Sequence, residues 1–270
     1  MLRRSELNIF KRELKDNFKS FLIWALGIIF MIAGGMSKYS AASESGQSMN
    51  ELMAKMPRYI QSLFGIGSFD LSLATGFYGV LYLYLVIMAV IHASLLGATI
   101  ISNEERDKTS EFLYSKPISR RFIITQKVLA GALLILLLNG VTLFSSLAIV
   151  NMVSKGENGA FLIIPLMLGL LILQLLFYSL GLGTSSIRSN PKTAPSVVSG
   201  LLLFFFFLYK LIDLTPKLDL LKYFTPFAYF DAQRIMRSGI NPEYVILSVL
   251  IIITMVITSY VFYGKRDLTI

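Results

Sequence analysis

The chain has no cysteine, one histidine, one tryptophan and only 15% charged residues among its 270 positions. Without cysteine there is neither a disulfide framework nor a thiolate metal site. A zinc hydrolase needs several His or carboxylate ligands converging at one depth, and a lone His92 does not supply them. Phosphate-cradling loops are missing as well. The one Gly-Lys pair, Gly264-Lys265, is followed by Arg266 instead of Ser or Thr, and Ser259 stands where the first glycine belongs. Gly183, Ser185 and Ser186 form no GxSxG elbow. Metal, nucleophilic and nucleotide-hydrolysing chemistry therefore has no visible carrier here, and any ATP must be handled by another chain.

What is present is apolar. Hydrophobic residues make up 55% of the chain and the mean hydropathy is +0.67, against about 25% charged residues in a typical soluble domain. This composition predicts an all-α integral membrane protein forming one transmembrane domain over residues 1–270. Six segments are long enough to approach the roughly 30 Å of hydrocarbon at about 1.5 Å per residue: about 21–36, 77–101, 128–153, 161–182, 194–212 and 244–263. The first is short, and its amphipathic flank is expected to add length.

Placing the N-terminus inside puts sixteen Lys and Arg on the inner segments and nine on the outer ones. The excess predicts a multi-pass protein of the plasma membrane with both termini cytoplasmic. Acids divide evenly, eight and eight, so the net charge of +9 is a topological asymmetry facing anionic lipid and gives no reason to invoke nucleic acid.

Residues 1–20 alternate Leu7, Phe10, Leu14 and Phe18 with Arg3, Arg4, Lys11, Arg12, Lys15 and Lys19 on other faces. The pattern predicts a basic amphipathic helix on the inner membrane surface, in place of a cleaved signal peptide. Outside, residues 37–76 turn apolar through Met56, Tyr59, Ile60, Leu63 and Phe64 and should lie partly against the bilayer. Residues 213–243 contain YFTPFAYFDAQRIM, aromatic and too short to span. Two readings stay open for it: a re-entrant or interfacial segment, or an aromatic belt at headgroup level. Phe224, Phe227, Tyr229 and Phe230 are candidates for an outer gate, and aromatic packing explains them equally well. Within the spans, Asn139 and Gln174 need partners or water, interhelical hydrogen bonding being the simpler role. Gly27, Ala33, Gly34, Gly35, Gly76, Gly79 and Gly97 offer surfaces for close span packing.

The densest signal is the connector at 102–120. It begins the stretch NEERDKTSEFLYSKPISRRFIITQKVLAG, residues 103–131, with acids first, bases after, and Pro117 between them. That order predicts a short helix, a break and a new helix. Glu104, Glu105 and Arg106 also open like the EExxxR motif of intramembrane proteases, but position 109 is Thr where that motif needs Arg. The connector resembles instead that of type II ABC-exporter permeases. Glu104, Glu105 and Arg106 match the family's acidic start, Thr109 and Glu111 its T-x-E, and Pro117, Ser119 and Arg120 its Pro-x-Ser-Arg turn; Lys108 replaces the usual Gly. Six spans, an N-terminal interfacial helix and a segment before the last span extend the resemblance over most of the chain.

The resemblance implies a permease subunit whose connector is a coupling helix docking on a separate cytoplasmic ABC ATPase, where ATP and its Mg are bound. It implies a second permease copy or a paralogue, with the transport path between the two. Carboxylates and Arg would set the register of docking, Phe112, Leu113 and Tyr114 would anchor it, and Pro117 would fix the angle of entry into the third span. Few charges within the spans favour a hydrophobic or amphipathic cargo: an antimicrobial or cytolytic peptide first, otherwise a lipid-like or drug-like compound. A sodium or lipid exporter of the same family is an alternative, as is a non-transporting interaction or immunity subunit.

Overall fold

A computed structural model describes residues 2–44, 49–66, 69–103, 119–154, 159–188, 190 and 192–265, with side chains from Ile9 onward except at Pro216. Helix α1 is Leu2–Glu44; the short α2 (Met49–Ala54) and α3 (Arg58–Leu63) follow, then α4 (Ala74–Ile100), α5 (Arg120–Val153), α6 (Gly159–Ile187) and α7 (Ala194–Leu214). A 3-10 helix, Pro216–Phe224, leads into the short α8 (Pro226–Tyr229) and α9 (Ala232–Ser238), and α10 (Pro242–Lys265) ends the described chain. The structure is all-α, and six of its helices are long and apolar enough to cross a membrane.

Boundaries differ from the sequence reading: α5 begins at Arg120 instead of about 128, and α1 runs through Glu44 into the segment expected outside. The expected interfacial helix over 1–20 and the first span form one uninterrupted helix of 43 residues. No proline or glycine stands between Leu2 and Trp24 to break it, so the change from mixed to apolar composition alters the helix surface and leaves its backbone intact. Phe21, Ala25, Ile28, Ile32 and Met36 recur at spacings of three and four and pack inward. Phe18, Leu22, Ile23, Leu26 and Phe30 stay exposed on the other side, as lipid-facing residues should.

Helix α4 is the centre of the bundle. Its most apolar window is 61% buried, against 22% for α7 and 11% for α10. It contacts α1, α5, α6 and α7, and packs most extensively against α6. Two glycines make this crossing possible. A Cβ on Gly97 would lie 2.2 Å from the Tyr178 carbonyl oxygen, and one on Gly181 would lie 2.5 Å from the Ser94 carbonyl oxygen. The two backbones touch there, the arrangement small residues permit between membrane helices. The reading of Gly97 as a packing surface is supported, whereas a Cβ on Gly34 would meet nothing within 4 Å.

Between α1 and α4, the exposed Asp70 joins a local set of hydrogen bonds. Asn50 Nδ2 donates to its carboxylate at 2.7 Å, the Leu71 N–H donates to Asn50 Oδ1 at 2.8 Å, and Tyr39 OH reaches the Ser72 carbonyl at 2.8 Å. Hydrogen bonds from Ser72 and Asn50 hold the Asp70 carboxyl below its ordinary value. Tyr59, Leu63 and Phe64 remain half exposed on α3 and just after it. At the other end of the bundle, α5 starts on Ser119, whose Oγ accepts from the Phe122 N–H at 3.3 Å.

Two expectations follow. Gly97→Val or Gly181→Val should lower the thermal transition of the purified protein, by a cost of about 1–3 kcal/mol for overpacking, while Gly34→Ala leaves it unchanged or raises it; equal melting of all three in detergent would refute the backbone contact. Ser119→Ala should speed amide exchange at Phe122 through loss of a cap worth about 1 kcal/mol, with Ser119→Asp preserving protection.

Candidate functional site

Eight of the residues assigned to ATPase coupling, Glu104, Glu105, Arg106, Thr109, Glu111, Phe112, Leu113 and Pro117, lie outside the described residues. The two that remain, Ser119 and Arg120, open α5. The site visible around them is the pair of roots from which the connector leaves α4 and enters α5.

These roots are tied together by a charged side chain. Lys127, two turns into α5, is fully buried, and its ammonium donates to the Ile100 carbonyl oxygen at 2.6 Å and to Glu13 Oε1 at 3.1 Å. Ile100 is the last residue of α4, so Lys127 places its charge on one of the carbonyls that the helix end leaves unpaired. Glu13 belongs to α1, is 2% exposed, and also accepts from Arg12 Nη2 at 3.1 Å. Arg12 keeps 39% of its side chain accessible and reaches on to Asp16 at 3.9 Å, so the ion pair lies one residue from water. Removing one partner of so buried a pair costs about 3–5 kcal/mol, because the other charge is stranded.

Other helices meet at the same place. Ile9 of α1 packs with Ile123 and Phe122 of α5. Tyr178 OH of α6 donates to the Val128 carbonyl at 3.1 Å and lies 3.4 Å from that of Lys127. Gly131 leaves room for this, since a Cβ there would lie 2.2 Å from the Tyr178 hydroxyl. Thr125 Oγ1 and Tyr260 OH of α10 share a hydrogen bond at 2.8 Å. The entry to α5 is thus held by α1, α4, α6 and α10 together.

The basic residues predicted for the membrane interface divide. Arg3 and Arg4 lie on α1, where side chains are not described; Lys11, Lys15 and Lys19 are exposed at four-residue spacing along one face. Arg12 is part of the Glu13 cluster instead. Sequence reasoning missed Glu13 and Lys127, counting the first among the inner-face acids and the second among the basic residues of the connector.

The four aromatic gate candidates divide as well. Phe224 is 68% exposed, whereas Phe227, Tyr229 and Phe230 are buried. Phe227 lies 5.1 Å from Phe177 and 5.7 Å from Phe206, and Tyr229 stacks on Tyr244 at 5.0 Å. Beside them a cavity of about 380 Å³ opens between α3, α4, α7 and the segment after α8. Lys210, 3% exposed, donates to the Ser62 carbonyl at 2.8 Å on its wall, and Tyr209 OH donates to Asp231 at 2.5 Å. Deeper in the bundle, Asn139 Nδ2 donates to Gln174 Oε1 at 3.2 Å and to the Met167 carbonyl at 3.1 Å, the interhelical bonding expected of them. His92 is buried beside Trp24, ring centres 5.7 Å apart.

The arrangement is that of a helical membrane bundle with a buried charged cluster where a connector leaves α4 and enters α5. No curated protein matches the chain, but the family model described as ABC-2 family transporter protein matches residues 7–268. The chain belongs to that family, as a multi-pass membrane permease that works with an ABC ATPase partner.

Proposed function

We propose that the chain is the membrane subunit of an ATP-driven exporter, coupled through residues 102–120 to a separate cytoplasmic ATPase that binds the ATP and its Mg. The carrying observation is the clamped pair of connector roots, with the end of α4 bonded to α5 through Lys127 at 2.6 Å. A joint between the two roots passes a force that reaches either of them to α4 and α5 together. A solvated loop of no partner would need no such joint.

With six spans crossing in alternation, the N-terminus, the connector and the C-terminus share one face in this reading, and the excess of Lys and Arg assigned to that face favours the cytoplasm. The exposed row of Lys11, Lys15 and Lys19 is suited to anionic lipid of the inner leaflet. A second permease copy or a paralogue completes the path, and α7 and α10, the least buried spans, leave apolar surface for it and for lipid. In the middle of the bundle the polar pair is uncharged, Asn139 with Gln174, which favours an amphipathic peptide or other hydrophobic cargo over an ion. Phe227, Tyr229 and Phe230 close the outer end in this reading.

The test is co-expression with an ABC ATPase, purification in lipid nanodiscs, and hydrolysis measured with and without a cationic amphipathic peptide. Co-purification with peptide-stimulated hydrolysis supports the exporter. A complex without stimulation removes the peptide cargo, and no complex with any cognate ATPase favours a non-transporting subunit. Glu105→Lys and Arg120→Glu should each preserve membrane insertion and weaken ATPase capture, read by pull-down; unchanged capture by both variants would remove them from the docking surface.

A further inference from the structure

We propose that Glu13 and Lys127 are positioning residues that make α1 a moving part of the coupling device. The inference rests on the exporter reading above and adds a helix that the connector itself does not contain. Lys127 bridges the last carbonyl of α4 at 2.6 Å and the Glu13 carboxylate of α1 at 3.1 Å. Both side chains are shielded from water, 0% and 3% exposed, so the bond is screened much less than a surface pair. A displacement of the connector that shifts α5 or the end of α4 by more than a fraction of an ångström must either strand a buried charge or carry α1 with it. The first is expensive, so the second occurs. Ile9 packing on Ile123 beside the ion pair gives the same block an apolar face.

A purely supporting role for the pair would also cost stability when it is broken, so stability alone cannot decide. The chain has no cysteine, and Ser20→Cys with Arg121→Cys places spin labels on exposed positions of α1 and α5. In nanodiscs, the label distance should be narrowly distributed with the pair intact, and it should stay so in the ATPase complex with and without trapped ATP. Glu13→Gln, which leaves Lys127 its Ile100 acceptor, should broaden the distribution. Lys127→Met should do the same where it folds, and the double variant should be no broader than either single one. Narrow distributions in the Glu13→Gln variant would overturn the joint.

The second arm compares hydrolysis by the ATPase alone with hydrolysis in the complex. Glu13→Gln should retain ATPase capture yet lose about fivefold or more of the permease's effect on hydrolysis, the lower range of coupling between linked sites. An unchanged effect alongside broadened distances would overturn the coupling role. Should the unsubstituted permease capture no ATPase at all, the exporter reading fails, and the distance measurement on the permease alone still decides whether the joint exists.

Discussion

Hydrocarbon offers no hydrogen-bond partner, so the backbone groups of the spans have to be satisfied by the chain itself, and side-chain hydroxyls there meet the same constraint. Most hydroxyls solve this locally by donating one turn back, as Thr142 does to Leu138, Ser248 to Tyr244 and Thr254 to Leu250, at 2.7–2.8 Å. Such bonds hold nothing together. The side chains that reach another helix do. Tyr78 bonds Ser146, Tyr82 reaches the Leu166 carbonyl, Asn139 bonds Gln174, and Tyr178 returns to the Val128 carbonyl. These four stitch α4, α5 and α6 into one unit around the Gly97–Gly181 crossing. The rest of the bundle packs on that unit chiefly by apolar contact.

Charge follows the same constraint at higher stakes. An ion pair out of water repays its desolvation only when further hydrogen bonds fill the remaining donor and acceptor sites. Lys127 meets that condition by combining a carboxylate with a helix-end carbonyl. Its position is also favourable: two turns into a helix of 34 residues, beside an Arg12 that still touches water. Lys210, four residues from the end of α7, is held by other contacts, with the Ser62 carbonyl as acceptor and the Tyr209 ring 4.8 Å from its ammonium. In both cases one charged side chain fastens a span to a separate segment of chain, and the middle of the bundle holds the neutral pair.

The architecture was legible because long apolar runs admit few other readings, and the connector because its charge order is unlike that of its surroundings. The first helix was misjudged at its boundary: amphipathicity marks a change of environment, and only a backbone breaker marks a change of element. The gate aromatics were legible as a group, but not the separation of Phe224 from the rest. That depends on the 3-10 turn ending at Phe224 before Pro226 starts the next helix. No local pattern in YFTPFAYF distinguishes the two sides of that turn.

The buried charges did leave a signal. On α5 the inward positions run Ile123, Lys127, Ala130, Leu134 and Leu138; on α1 they run Ile9, Glu13, Phe21, Ala25 and Ile28; on α7, Ala194, Val198, Leu202 and Lys210. In each row the charged residue falls in helical register with the buried stripe, whereas Lys11, Lys15 and Lys19 fall off it and are exposed. A charge that keeps the register of an apolar stripe is carried inward by the packing of its neighbours, since turning it outward would turn them out as well. It must then find a partner of opposite sign or a free carbonyl. Counting such a residue toward loop charge, as topology rules do, hides this. Its register predicts burial, and its burial requires the contact that ties α1 to both ends of the connector.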